Sequence, residues 1–249
     1  MLAPVRCLAL ATMLAAAAPV LADDGVGLPG GLSVSASATA VTDYRFRGVS
    51  LSGGDPAVQG GVTVTHDSGF YVGAWGSTID DGGTDAFGDV ELDLYGGWSG
   101  KLNDAIGLDA GLLYYAYPTN GKGIDAEFFE PYATVSASLG PVEARVGANY
   151  AWQQDSLGGD DSLYLHGDLS SGIPTTPVTL NAHVGYTDGV LAPTLLAGTG
   201  DDTALDWSLG ATATVMGKLT FGLSYVGVQG PSIDGATNDT VVGSVGVSF

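Results

Sequence analysis

The chain has 249 residues, 27 acidic and 7 basic side chains, and a formal net charge of −20. So acidic a chain excludes nucleic acid as a partner, because that binding rests on basic surface. An apolar share of 45% and eleven tyrosines exclude a disordered acidic chain, and forty glycines fit a sheet protein with many tight turns.

The first residues read as a processing signal. Arg6 opens it, an apolar run covers Cys7 to Leu21, and Val20-Leu21-Ala22 closes it as signal peptidase requires. The run is too short and wrongly flanked for a spanning helix, so residues 1–22 are expected to be a cleaved secretory signal. Cys7, the single cysteine, leaves with it, which removes disulfides and thiolate chemistry from the mature chain. Residues 23–31 form a glycine-rich lead-in with no periodicity.

From Leu32 the chain alternates. Leu32, Val34, Ala36, Ala38, Ala40, Tyr44 and Phe46 share one parity, while Ser33, Ser35, Ser37, Thr39, Asp43, Arg45 and Arg47 share the other. A period of two predicts one long strand with an apolar and a polar face. Eleven further stretches follow, near residues 58–64, 70–75, 90–98, 106–114, 129–139, 142–152, 163–169, 178–186, 205–215, 219–225 and 241–249. Their connections alternate short and long, and aspartates such as Asp80, Asp81, Asp85, Asp201 and Asp202 crowd the long ones. No apolar helical stretch of about 20 residues follows the signal, which excludes a helical bundle in the membrane. An even strand number, short turns on one side and long acidic loops on the other are the marks of a bacterial outer-membrane barrel. The expected fold is therefore all-β, a single antiparallel transmembrane β-barrel of about twelve strands over residues 32–249. Short turns would face the periplasm and the longer acidic loops the exterior. Aromatic residues near strand ends on the apolar parity (Tyr44, Phe46, Phe70, Trp98, Tyr114, Tyr150, Trp152, Tyr186, Trp207, Tyr225) read as interface belts.

The segments TDYRFRGVS, DPAVQGG, HDSGFYVGAWGS, ELDLYGGW and YYAYP resemble the TorF family of proteobacterial porin-like proteins. The likeness covers the first half of the mature chain, and the second half matches in pattern. It implies an outer-membrane channel in a Gram-negative bacterium, of largely unknown function. The closing VVGSVGVSF resembles the last strand of outer-membrane proteins, whose terminal phenylalanine is read by the barrel assembly machinery. Outer-membrane lipid, lipopolysaccharide and small solutes or ions complete the expected partners. No cofactor is expected.

Projected inward, the polar parity gives the candidate pore lining. It comprises Asp43, Arg45 and Arg47 on the first strand, Asp89, Glu91 and Asp93 on the fourth, and Asp109 on the fifth. Glu130, Glu143, Arg145, His166, Asp168, His183 and Asp206 complete it. Nine carboxylates against three arginines predict a cation-preferring pore, since charged rings focus potential in a water-filled lumen. The bland alternative is that these charges pair across a plugged lumen, leaving a structural or adhesive barrel. The acids of the fourth strand are the expected counterpart of Arg45 and Arg47. His166 and His183 lie inward on neighbouring strands, but two histidines without a third ligand read as lining rather than a metal site. His66-Asp67-Ser68 offers a histidine and a serine in a tight turn without a rigid setting or a third orienting group, so no catalytic residue is assigned.

Overall fold

The structure, a computed structural model, describes residues 26–249. The expected signal peptide lies outside the described residues. In chain order the strands begin with β1 (Val26–Leu28), β2 (Leu32–Val41), β3 (Arg45–Phe46), β4 (Val49–Ser50), β5 (Ala57–His66) and β6 (Phe70–Thr78). There follow β7 (Val90–Lys101), β8 (Ile106–Ala116), β9 (Phe128–Leu139), β10 (Val142–Ala151), β11 (Ser162–Gly172) and β12 (Val178–Gly189). A single helical turn, α1 (Pro193–Leu196), precedes β13 (Thr203–Val215), β14 (Leu219–Val228) and β15 (Thr240–Ser248).

Each long strand pairs antiparallel with its sequence neighbour, and β2 pairs with both β5 and β15. That double pairing closes a ring of twelve strands, so no long edge is left open. The alternation of short turns and long loops expected from sequence is present throughout.

The period of two sorts the faces as expected for lipid outside and polar groups inside. Val146 is 68% exposed and Val58 64%, whereas Asn149 and Gln59, inward on the same two strands, are each 8% exposed. A water-soluble barrel would have the opposite distribution. An apolar band this continuous on the outer wall is a lipid-facing surface.

Three expectations are corrected. Strand one stops at Val41, and the alternation beyond it belongs to an internal hairpin, β3–β4. Tyr44 and Phe46 are therefore not belt residues: Phe46 is buried inside the barrel against Tyr115, and Tyr44 packs edge-on to the inward Trp75. The lead-in is not formless either, since β1 turns back through Gly30 and Gly31, both at positive φ, and pairs with the start of β2.

Inside the wall, aromatic rings lie over glycines of the adjacent strand. Tyr71 faces Gly97, Tyr95 faces Gly73 and Tyr132 faces Gly111, each as a registered cross-strand pair. A Cβ on Gly73 would collide with the Tyr95 ring, whose hydroxyl sits 2.6 Å from Thr63 Oγ1. Gly73→Val is accordingly expected to cost about 1–3 kcal/mol through overpacking. Gly172→Val, at a site with no atom near the added Cβ, should change stability by about 0.5 kcal/mol or less. Urea unfolding of the refolded barrel in micelles would separate the two.

Candidate functional site

The hairpin between β2 and β5 organises the lumen. Its turn is Arg47-Gly48, with φ of 47° and 82°, the pairing of positive angles that a two-residue hairpin of type I′ requires. Asparagine or aspartate before glycine is the usual choice, and a long side chain in the left-handed region costs roughly 1–2 kcal/mol. Arg47 occupies it nonetheless, fully buried, and its side chain reaches the opposite wall.

There Arg47 Nη2 donates to Glu130 Oε1 at 2.6 Å, and the guanidinium lies 4.3 Å from the Tyr164 ring and 4.7 Å from that of Phe46. Glu130 Oε2 accepts from Tyr115 Oη at 3.2 Å and Asn149 Nδ2 at 3.0 Å. Burial alone would lower the pKa of the Arg47 guanidinium, but Glu130 beside it more than offsets this and holds it above its ordinary value.

The base of the hairpin is fastened by more bonds than its tip, where Nε and Nη1 of Arg47 are buried without a partner. Asp43 accepts from Arg45 Nε at 2.5 Å and from Ser50 Oγ at 2.6 Å. Arg45 Nη1 donates to the carbonyls of Gly48, Ala236 and Asn238 at 2.9–3.1 Å, tying the hairpin to the last long loop. Ser50 N adds a bond to Ala236 O at 2.8 Å. Asp43, Arg45 and Arg47 thus belong to an insert in the lumen, not to its wall.

At the same level Leu113, Tyr115, Glu91, Asp93 and Tyr164 are each less than 2% exposed. Leu113 and Tyr115, with Phe46, Tyr117 and Phe128, belong to an apolar and aromatic core inside the barrel at its long-loop end. Sequence reasoning missed this core because its tyrosines sit on the parity assigned to polar lining. The signal lay in doublets: Leu112-Leu113, Tyr114-Tyr115 and Phe128-Phe129 put bulk on both faces at once.

Glu91 and Asp93 face this core without making the expected pair with Arg45 or Arg47. Both oxygens of Glu91 and Oδ1 of Asp93 are buried without a well-formed hydrogen bond, with the Tyr44 hydroxyl close to Glu91. Asp89 is not a lumen residue. It is exposed in the loop before β7, where its amide donates to Thr119 Oγ1.

Mid-barrel, four predicted residues converge. Asp168 lies 2.8 Å from His166 Nδ1 and 2.7 Å from His183 Nδ1, and His183 Nε2 lies 2.9 Å from Asp206 Oδ1. Tyr164 Oη contacts both His183 Nε2 and Asp206 Oδ1. Nearer the short-turn end several inward side chains are more exposed. Asp109 accepts from Tyr71 Oη at 2.6 Å, Tyr71 Oη also contacts Tyr132 Oη, and Glu143 and Arg145 face inward half-exposed.

Two other candidates resolve into local structure. Asp81 in the loop 79–89 accepts from the amides of Gly83, Thr84, Phe87 and Gly88. Those amides, Gly88 first, hold its carboxyl below the usual carboxylate range and commit it to shaping its own loop. His66 Nδ1 lies 2.6 Å from Ser68 Oγ, but the same ring nitrogen also accepts the Ser68 amide in an exposed turn. Among the described residues, no carboxylate hydrogen-bonds that ring.

A closed ring of twelve antiparallel strands, apolar outside and lined with polar groups within, defines a porin-like β-barrel. The chain belongs to the Gcw_chp family, bacterial proteins of unknown function, whose family profile matches residues 27–246. Among solved structures it is similar to the NanC porin, with a TM-score of 0.57 and 13% identity over 87% of this chain and 99% of that one. It is also similar to the COG4313 outer membrane channel from Pseudomonas putida F1, with a TM-score of 0.50 and 13% identity over 91% of this chain and 97% of that one. At such identities the likeness is one of fold. No curated protein matches the chain in sequence.

Proposed function

We propose that this barrel is an outer-membrane channel of a Gram-negative bacterium, passing small solutes or ions by passive diffusion with a preference for cations. The observation that carries this reading is the inverted wall, apolar toward lipid and rich in small polar and acidic residues toward the lumen. Carboxylates outnumber arginines among the inward groups, so a permeating cation would meet the more favourable potential. The TorF resemblance points the same way. Lipopolysaccharide at the acidic loops and the barrel assembly machinery at Phe249 are the partners this reading entails. No step in it needs a cofactor or covalent chemistry.

The hairpin shapes how such a channel works. It fills the long-loop half of the lumen, so conduction requires either a narrow path beside it or its displacement. A second reading, a plugged structural or adhesive barrel, draws on the fastening of Arg45 and Arg47. A hydrolase built on His66 and Ser68 is the weakest reading, and hydrolysis lost on Ser68→Ala would be its support.

Planar-bilayer recording of the refolded protein distinguishes the first two. Discrete conductance is expected, with a reversal potential in a potassium chloride gradient on the cation side. Anion preference would overturn the lumen-charge argument, and the absence of steps in wild type and in hairpin variants alike would favour the plugged barrel.

A further inference from the structure

We infer that His166, Asp168 and His183 form a binding site for one late first-row divalent metal ion of the zinc type, with Asp206 orienting His183. One ligand atom from each of the three lies within 4.8 Å of the others. They project from paired strands, since His183 stands directly across from Asp168 in the β11–β12 register and His166 is two residues along the same face. The wall therefore holds the set rigidly, as a preorganised site requires.

The hydrogen-bonding pattern leaves a place for a cation here. A neutral imidazole has one N–H and one lone pair. If His183 Nε2–H donates to Asp206 Oδ1, its Nδ1 presents a lone pair to Asp168 at 2.7 Å. His166 Nδ1 is aimed at the other oxygen of the same carboxylate at 2.8 Å. His166 can donate to that oxygen from a neutral ring carrying its proton on Nδ1, so the cluster calls for one positive charge, between His183 Nδ1 and Asp168. A second N–H on His183 would supply it; a divalent ion held by both Nδ1 atoms and Asp168 supplies it as well, with Asp168 and Asp206 as counter-charges.

The Asp206–His183 contact is then the carboxylate that fixes a ligating histidine's tautomer. Asp206 itself is buried, and its Oδ2 has no partner. Two nitrogens and one carboxylate select zinc, nickel, copper or cobalt over magnesium or calcium. The side chains of His166 and Asp168 are 10% and 13% exposed, so the lumen side leaves a position for water or an exchanging ligand. Tyr164 stacks on His166 at 5.5 Å, which places the site directly under the hairpin tip.

The test does not depend on conductance. Tag-free, chelator-treated protein refolded in micelles is titrated with zinc chloride by calorimetry, with magnesium chloride as the comparison. One zinc ion per chain is expected, unaffected by excess magnesium. Affinity should fall about 10–100-fold in Asp206→Asn and be lost in His166→Ala/His183→Ala. Cobalt(II) loading of the wild type gives a readout that needs no variant: intense visible bands of a four-coordinate, nitrogen-ligated ion. The absence of saturable zinc binding, a pale six-coordinate cobalt spectrum, or equal binding by the folded double variant would each overturn the site. Heat-modifiable gel mobility verifies folding of every variant, and His183→Gln replaces any alanine variant that fails to fold.

Discussion

Arg47→Ala is expected to destabilise the folded barrel by about 3–5 kcal/mol, the range seen when one partner of a buried ion pair is removed. The change would strip Glu130 of its cation while leaving it sealed under Tyr115 and Asn149. It would also take away the guanidinium that rests on Phe46 and Tyr164. The same variant should open the long-loop half of the lumen, because Arg47 is the hairpin's attachment to the far wall. Conductance in planar bilayers should therefore rise above wild type while urea unfolding shifts to lower denaturant. A double-mutant cycle with Glu130→Gln isolates the pair from the hairpin's other contacts. A loss of stability with unchanged conductance would show that the tip does not limit the pore.

Glu91→Met should move stability the other way. Both carboxylate oxygens of Glu91 are buried without a well-formed hydrogen bond, the Tyr44 hydroxyl being close by, and the side chain is fully enclosed. An apolar side chain of similar length removes that desolvation cost, and the expected gain is about 2 kcal/mol. Selection would keep so unfavourable a group only for what it does when the lumen is wet. The second half of the prediction follows: the stabilised variant should show a weaker cation preference in the salt-gradient measurement. If Glu91→Met instead destabilises the barrel, the carboxylate has a partner in the folded protein, and the lumen at that level holds water or a cation.

Much of the architecture was legible because β-strands announce themselves by parity and turns by glycine. Val142 to Trp152 could be read residue by residue, and β10 runs from Val142 to Ala151. The hairpin was not legible, for a physical reason. A strand lying inside the lumen also alternates, so Asp43, Arg45 and Arg47 continue the polar parity of β2 past a single break at Val41. The cue that separates the two is Arg47-Gly48, a turn that only looks like one once arginine is accepted at positive φ. The histidine–aspartate cluster was half visible: parity placed His166 and His183 inward, but only strand register set Asp168 between them. Four of the lumen residues named from sequence, His166, Asp168, His183 and Asp206, meet as neighbours through pairings that period alone cannot supply. Asp89 failed for the opposite reason, as parity was extended one residue past the end of a strand.

The lead-in strand β1 carries a consequence for how the ring is sealed. β15 meets β2 over five registered pairs, from Ser244–Val41 to Ser248–Ser37, whereas β5 meets β2 over ten. Phe249 extends the join by bonding Ala36 through both backbone groups, and there the last strand runs out. The remaining edge of β2, Leu32 to Val34, is covered by Val26–Leu28 instead. Those three residues act as a gasket. In hydrocarbon or at its boundary an uncovered strand edge costs several kcal/mol for each unsatisfied backbone group. The seam of the twelve-strand ring is therefore completed by a thirteenth piece of chain, β1, on the stretch of β2 that β15 does not pair with.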